Sequence, residues 1–172
     1  MKIELAGALA WLVIVFVPTT ASALPCPGDG PSDVRVESDP DLAGGVRPLW
    51  DSDGPVVRVD PTAGGYKPAL FARQLYRFSL MHGLGHICQG HITAEHAPRF
   101  EHDPSYTGWS GADAELAADC WAARQLASRG STDIVEAAAL MFDSGDGAFS
   151  GRVHNPNHER RAQRMRECAD LR

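Results

Sequence analysis

Two histidines, His82 and His86, stand four residues apart, and on a helix that spacing projects both rings from one face. Neutral imidazoles so placed can share a metal ion, and a catalytic zinc usually takes three protein ligands plus water. The pair extends a run of apolar residues at helical spacing, Phe71, Leu75 and Phe78, so both rings are expected to face inward. Taken alone, such a pair is weak evidence and fits ordinary core or surface histidines better than a metal site. Further along, Glu115 and Asp119 repeat the spacing inside an alanine-rich stretch, and their face continues through Ala122 and Leu126. Two carboxylates on a buried face need partners, because unpaired buried charge is very costly. A metal for Glu115 and a histidine N–H for Asp119 would satisfy both. The competing expectation is a solvated face, or salt bridges to nearby Arg124 or Arg129.

The elements that must position these groups are mostly helical. The apolar period predicts a helix from Pro68 to Gln89, with Pro68 in its first turn and Gly90 as its C-terminal cap. A second helix is expected from Ala112 to Arg129, closed by Gly130. A third follows the cap Ser131 through Phe142, with Asp133 and Glu136 in its early turns, where negative charge is favoured. A last, basic helix is expected from Asn155-Pro156 to Asp170. His91 to Trp109, with Pro98, Pro104 and Gly108 as breakers, reads as a polar loop, and Asp143 to Asn155 as a Gly/Ser/Asp loop. Residues 24–65 are rich in Pro, Gly and Asp and read as irregular coil with short strands at Val34–Glu37 and Val56–Asp60. The expected class is α+β, mainly α, with residues 66–172 as the helical metal-binding domain.

Residues 1–23 are expected to lie outside that fold. A short positive start, an apolar run from Leu5 to Val17 and an Ala21-Ser22-Ala23 end describe a cleavable secretory signal peptide, cut after Ala23. The run is short for a permanent span, which needs about 20 residues. Membrane association is therefore expected only if the signal stays uncleaved, and the mature chain is expected to be secreted or periplasmic. The formal net charge of −6 and the lack of any basic stripe give no electrostatic reason to bind nucleic acid. Four cysteines, Cys26, Cys88, Cys120 and Cys168, favour two disulfides in an oxidising compartment, with three pairings open.

The stretch Phe78 to His91, containing His82-Gly-Leu-Gly-His86 and Gly90-His91, resembles the active-site helix of gluzincin metallopeptidases, which read H-E-x-G-H followed by a G-H pair. Glu115-Leu-Ala-Ala-Asp119-Cys-Trp-Ala-Ala is similar to their second helix, E-x-x-A-D-x-x-A. The tail His154-Asn-Pro156-Asn-His158-Glu-Arg160-Arg161 is similar to a short H-P…R segment near the C-terminus of many such bacterial enzymes. The resemblance implies a zincin-like fold with a zinc held by His82, His86 and Glu115. It also implies Asp119 as the acceptor orienting a ligand histidine. His91, just past the helix end, reads as a residue beside the site or at the surface, or as an alternative third ligand in place of Glu115. Val56–Asp60 would be the edge strand where an extended peptide or protein segment pairs, and His154 or Arg160 would reach toward a reacting carbonyl oxygen.

One departure outweighs these matches. The residue after the first histidine, the glutamate that activates zinc-bound water in such enzymes, is here Gly83. A general base typically contributes about 10²–10⁴-fold, and glycine offers no proton acceptor. Metal binding survives such a change, whereas hydrolysis by the usual route does not. The expectation is a zinc-binding, catalytically degenerate relative serving as a binding or regulatory module. The alternatives are an active metallohydrolase with a displaced base, for which Glu95, Glu101 and Asp103 are candidates, and a disulfide-stapled secreted protein with structural histidines.

Overall fold

Valines at alternating and adjacent positions build the sheet. Val34, Val56 and Val57 are fully buried, and Leu49 and Val59 nearly so, as expected of β-branched residues in strands covered by a helix. The computed structural model describes residues 22–27, 30–42, 45–62, 69–103, 111–144 and 158–171. Four strands, β1 (Ser22–Leu24), β2 (Val34–Ser38), β3 (Val46–Asp51) and β4 (Gly54–Val59), form one sheet in the order β1-β2-β4-β3. β2 and β4 run parallel, and the outer pairs are antiparallel. β3 and β4 make a hairpin closing at Asp51 opposite Gly54. There Asp51 Oδ1 accepts the Asp53 backbone N–H at 2.9 Å, and Gly54 takes a φ of +110°, a conformation that glycine adopts without penalty.

The two strands expected at Val34–Glu37 and Val56–Asp60 are present as β2 and β4, and β3 is a further strand that the composition did not suggest. Val56–Asp60 is not an edge, however. β4 lies between β2 and β3, and β3 is the outer strand on that side. Pro48 within β3 fits this place, since proline cannot donate to a neighbouring strand. β1 spans the expected cleavage point after Ala23, so cleavage there would leave Leu24 alone from that strand.

The helices are α1 (Ala69–Cys88), a short α2 (Ala97–His102) led in by one 3₁₀ turn, α3 (Ala112–Ser128), α4 (Thr132–Asp143) and α5 (His158–Cys168). α1 packs on β3 and β4 and also on α3 and α4; α5 packs on α3 and α4. Both glycine caps form. Gly90 and Gly130 sit at φ +72° and +71°, and each folds the next residue back onto the helix: His91 N donates to His86 O and Ser131 N to Leu126 O. Ser131 does stand at the N-cap of α4, but its side chain makes no capping bond. α2 was not expected, because Pro98 reads as a breaker, yet it falls in the first turn, where proline is tolerated. The buried Phe100 anchors that helix. Pro68, Trp109, His154 and Asn155-Pro156 lie outside the described residues, as do residues 1–21 of the expected signal peptide.

Two disulfides brace this arrangement. Cys26–Cys88 ties the start of the sheet region to the end of α1, and Cys120–Cys168 ties α3 to the end of α5.

Candidate metal centre

Two glycines on α1 set how closely its neighbours approach. A Cβ on Gly85 would meet the Ala118 carbonyl oxygen at 3.1 Å and its Cα at 3.2 Å, so α3 rests directly on α1 here. This close crossing brings the Glu115/Asp119 face over the two histidines. A Cβ on Gly83 would meet Val46 at 3.2 Å, Val57 at 3.5 Å and Pro48 at 3.7 Å. Gly83 is therefore pressed under β3 and β4, on a different side of α1 from α3.

The inward atoms of three side chains converge. His82 Nε2 lies 3.0 Å from His86 Nε2 and 3.3 Å from Glu115 Oε2, and His86 Nε2 lies 3.6 Å from Glu115 Oε1. All three residues offer a ligand atom within 4.8 Å of the others. Tetrahedral zinc with bonds of about 2.0–2.1 Å holds its ligand atoms roughly 3.3–3.4 Å apart, so the observed spacings match a site for one ion. The second nitrogen of each ring is engaged away from the centre. His82 Nδ1 lies 2.9 Å from Asp119 Oδ1, a close ion-pair contact without hydrogen-bond alignment, and His86 Nδ1 lies 3.1 Å from His91 Nδ1. Partners of this kind fix a ligand histidine's ring orientation and leave its other nitrogen to the metal. His91 reaches His86 because the left-handed turn at Gly90 folds the chain back over the last turn of α1.

A fourth group completes the cluster. Arg161, from α5, donates to Asp119 through two nitrogens: Nε to Oδ2 at 2.6 Å and a terminal nitrogen to Oδ1 at 2.7 Å. The same terminal nitrogen is 3.3 Å from Glu115 Oε2. Its guanidinium lies 4.4 Å above the Phe142 ring of α4, and Asp119 and Arg161 are both buried. The sequence had placed Arg124 or Arg129 as possible partners of these carboxylates; both are exposed. Arg160 is exposed as well, beside Asp113 and Glu167 in the outer groove between α3 and α5. Arg161, one residue on, is the arginine that enters the site. A signal for it exists in the sequence. Ala162, Met165 and Ala169 form the buried stripe of this segment, and at about 100° per residue Arg161 flanks that stripe while Arg160 lies roughly opposite it.

The electrostatics follow from this crowding. Burial works against a charged His82, but Asp119 and Glu115 outweigh it and push its pKa up to about 9. His86 is held well below the ordinary histidine value by burial and then by its charged neighbour His82. Burial also lowers His91. For Arg161 the desolvation cost is outweighed by Asp119 and then Glu115, which hold the guanidinium protonated.

Of the other sequence candidates, Glu95 in the 3₁₀ turn and Glu101 within α2 are exposed, and Asp103 is the C-cap of that helix. His96 accepts the Thr93 backbone N–H at 3.1 Å. No protein-family model, curated protein or solved structure matches the chain.

Proposed function

We propose that this chain is an exported, metallopeptidase-like protein whose His82/His86/Glu115 centre binds zinc but does not hydrolyse peptides by the usual route, and which serves as a binding or regulatory module. The observation that carries the reading is the pairing of an intact ligand triad, with ligand atoms 3.0–3.6 Å apart, with a glycine buried under the sheet at the position of the general base. Zinc bound there would supply Lewis acidity. His82, His86 and Glu115 would hold it, and the residues behind them orient the ligands: Asp119 lies against His82, His91 against His86, and Arg161 offsets the charge of the two carboxylates.

The test is proteolysis. Zinc-loaded residues 24–172, made in an oxidising compartment, are expected to cleave casein no faster than the His86→Ala variant. Cleavage that is stopped by EDTA and absent from that variant would favour the active-hydrolase alternative and sink this reading.

A second reading has an observation of its own. Arg161 and His82 already satisfy Asp119 and Glu115 through protein contacts, as a disulfide-stapled protein with structural histidines would require. That reading expects no bound metal and no change of melting temperature with zinc.

A further inference from the structure

We infer that Arg161 is a positioning residue of the metal centre, acting through Asp119 and Glu115 rather than on the metal. The inference rests on the zinc-binding reading of the triad and names the residue that makes the triad competent.

Arg161 holds both oxygens of Asp119 in a two-pronged grip, at 2.6 and 2.7 Å. With two contacts the carboxylate plane cannot rotate, so Oδ1 stays 2.9 Å from His82 Nδ1. That close ion-pair contact holds Nδ1 on the Asp119 side and favours the His82 orientation seen here, with Nε2 toward His86 and Glu115. Glu115 Oε2 is 3.3 Å from both the Arg161 guanidinium and His82 Nε2, so one arginine aligns both a ligand and the acceptor behind another ligand. A lysine would keep the charge but could not make the planar two-pronged contact.

Arg161 itself is fixed from two sides. The Phe142 ring lies under the guanidinium, and Cys120–Cys168 fastens α5 to α3 one residue beyond Asp119. The site is therefore built from α1 and α3 but set in place by α5. Partners behind metal ligands typically change metal affinity about 10–100-fold when removed.

The experiment measures zinc affinity of residues 24–172 by competition with a chromogenic chelator, and the visible spectrum of the cobalt-substituted protein. The variants are Arg161→Lys, Arg161→Gln, Asp119→Asn and the Arg161→Gln/Asp119→Asn double. Arg161→Lys and Arg161→Gln are expected to bind zinc at least tenfold more weakly, with an altered cobalt spectrum. The double variant should lose no more than the worse single, because the arginine acts through the aspartate. Should Arg161→Gln fail to fold, Arg161→Lys and the double variant, which removes both charges together, carry the same comparison. Zinc binding within threefold of wild type and an unchanged cobalt spectrum in Arg161→Lys would overturn the inference alone. Wild-type protein that takes up neither metal would overturn the zinc reading and this inference with it.

Discussion

Replacing Gly83 by glutamate puts a carboxylate beside His82, and the structure predicts that this creates no peptidase. Gly83 is buried, and its missing Cβ points at Val46, Val57 and Pro48, the nearest at 3.2 Å. Alanine there would gain up to about 1 kcal/mol of helix propensity against roughly 1–3 kcal/mol of overpacking. Gly83→Ala is therefore expected to be neutral or destabilising by up to about 2 kcal/mol. Glutamate adds two methylenes and a carboxylate to the same contact. It must push α1 off β3 and β4 or bury its carboxylate against valines, and either course costs about 3 kcal/mol or more. For a chain of this size that lowers the melting temperature by roughly 6–12 °C. The assay is thermal unfolding by circular dichroism, with casein cleavage measured on the same samples. A Gly83→Glu protein as stable as wild type, or one that gains zinc-dependent peptidase activity, would refute the argument that the sheet occupies the base's place.

Other outcomes follow from the same contacts. Asp119→Ala leaves Arg161 buried without its two-pronged partner and should cost about 3–5 kcal/mol, as breaking a buried pair usually does; denaturant unfolding showing under 1 kcal/mol would mean the pair is solvated. Gly85→Ala puts a methyl 3.1 Å from the Ala118 carbonyl oxygen. Backbone cannot swing aside as a side chain can, so a loss of about 1–3 kcal/mol is expected, and an unchanged denaturation midpoint would show that α1 and α3 are looser than described. Replacing Cys120 and Cys168 by serine opens a loop whose ends are 48 residues apart, worth about 4 kcal/mol by chain-entropy reasoning. A melting temperature unaffected by that change would argue against the pairing.

The parts of the fold written in local periodicity could be read in advance. α1, α3 and their glycine caps follow from apolar spacing and from Gly90 and Gly130, and the triad follows from two pairs of residues four apart. What escaped depended on contacts distant in sequence. β3 carries Arg47, Pro48 and Asp51, so nothing local marks it as a strand; it forms because β4 pairs with it and α1 covers it. The fact that β4 lies inside the sheet is a property of strand order, which strand composition does not encode. Arg161 stands among four other arginines between positions 152 and 166. Only the burial of Ala162, Met165 and Ala169 decides which of them turns inward. Gly83 reads in the sequence as a loss, the missing base. In the structure it is also a fit, since a Cβ there would already press on Val46 at 3.2 Å.

The role proposed for His82, His86 and Glu115 requires a bound metal. Residues 24–172, purified from an oxidising compartment, should carry about one equivalent of zinc per chain by elemental analysis, as expected for one site with three protein ligands. Glu115→Gln should bring that content close to zero while leaving both disulfides intact. Wild-type protein that holds no zinc, even after incubation with excess ion and dialysis, would contradict the central claim and leave His82 and His86 as parts of a buried polar network.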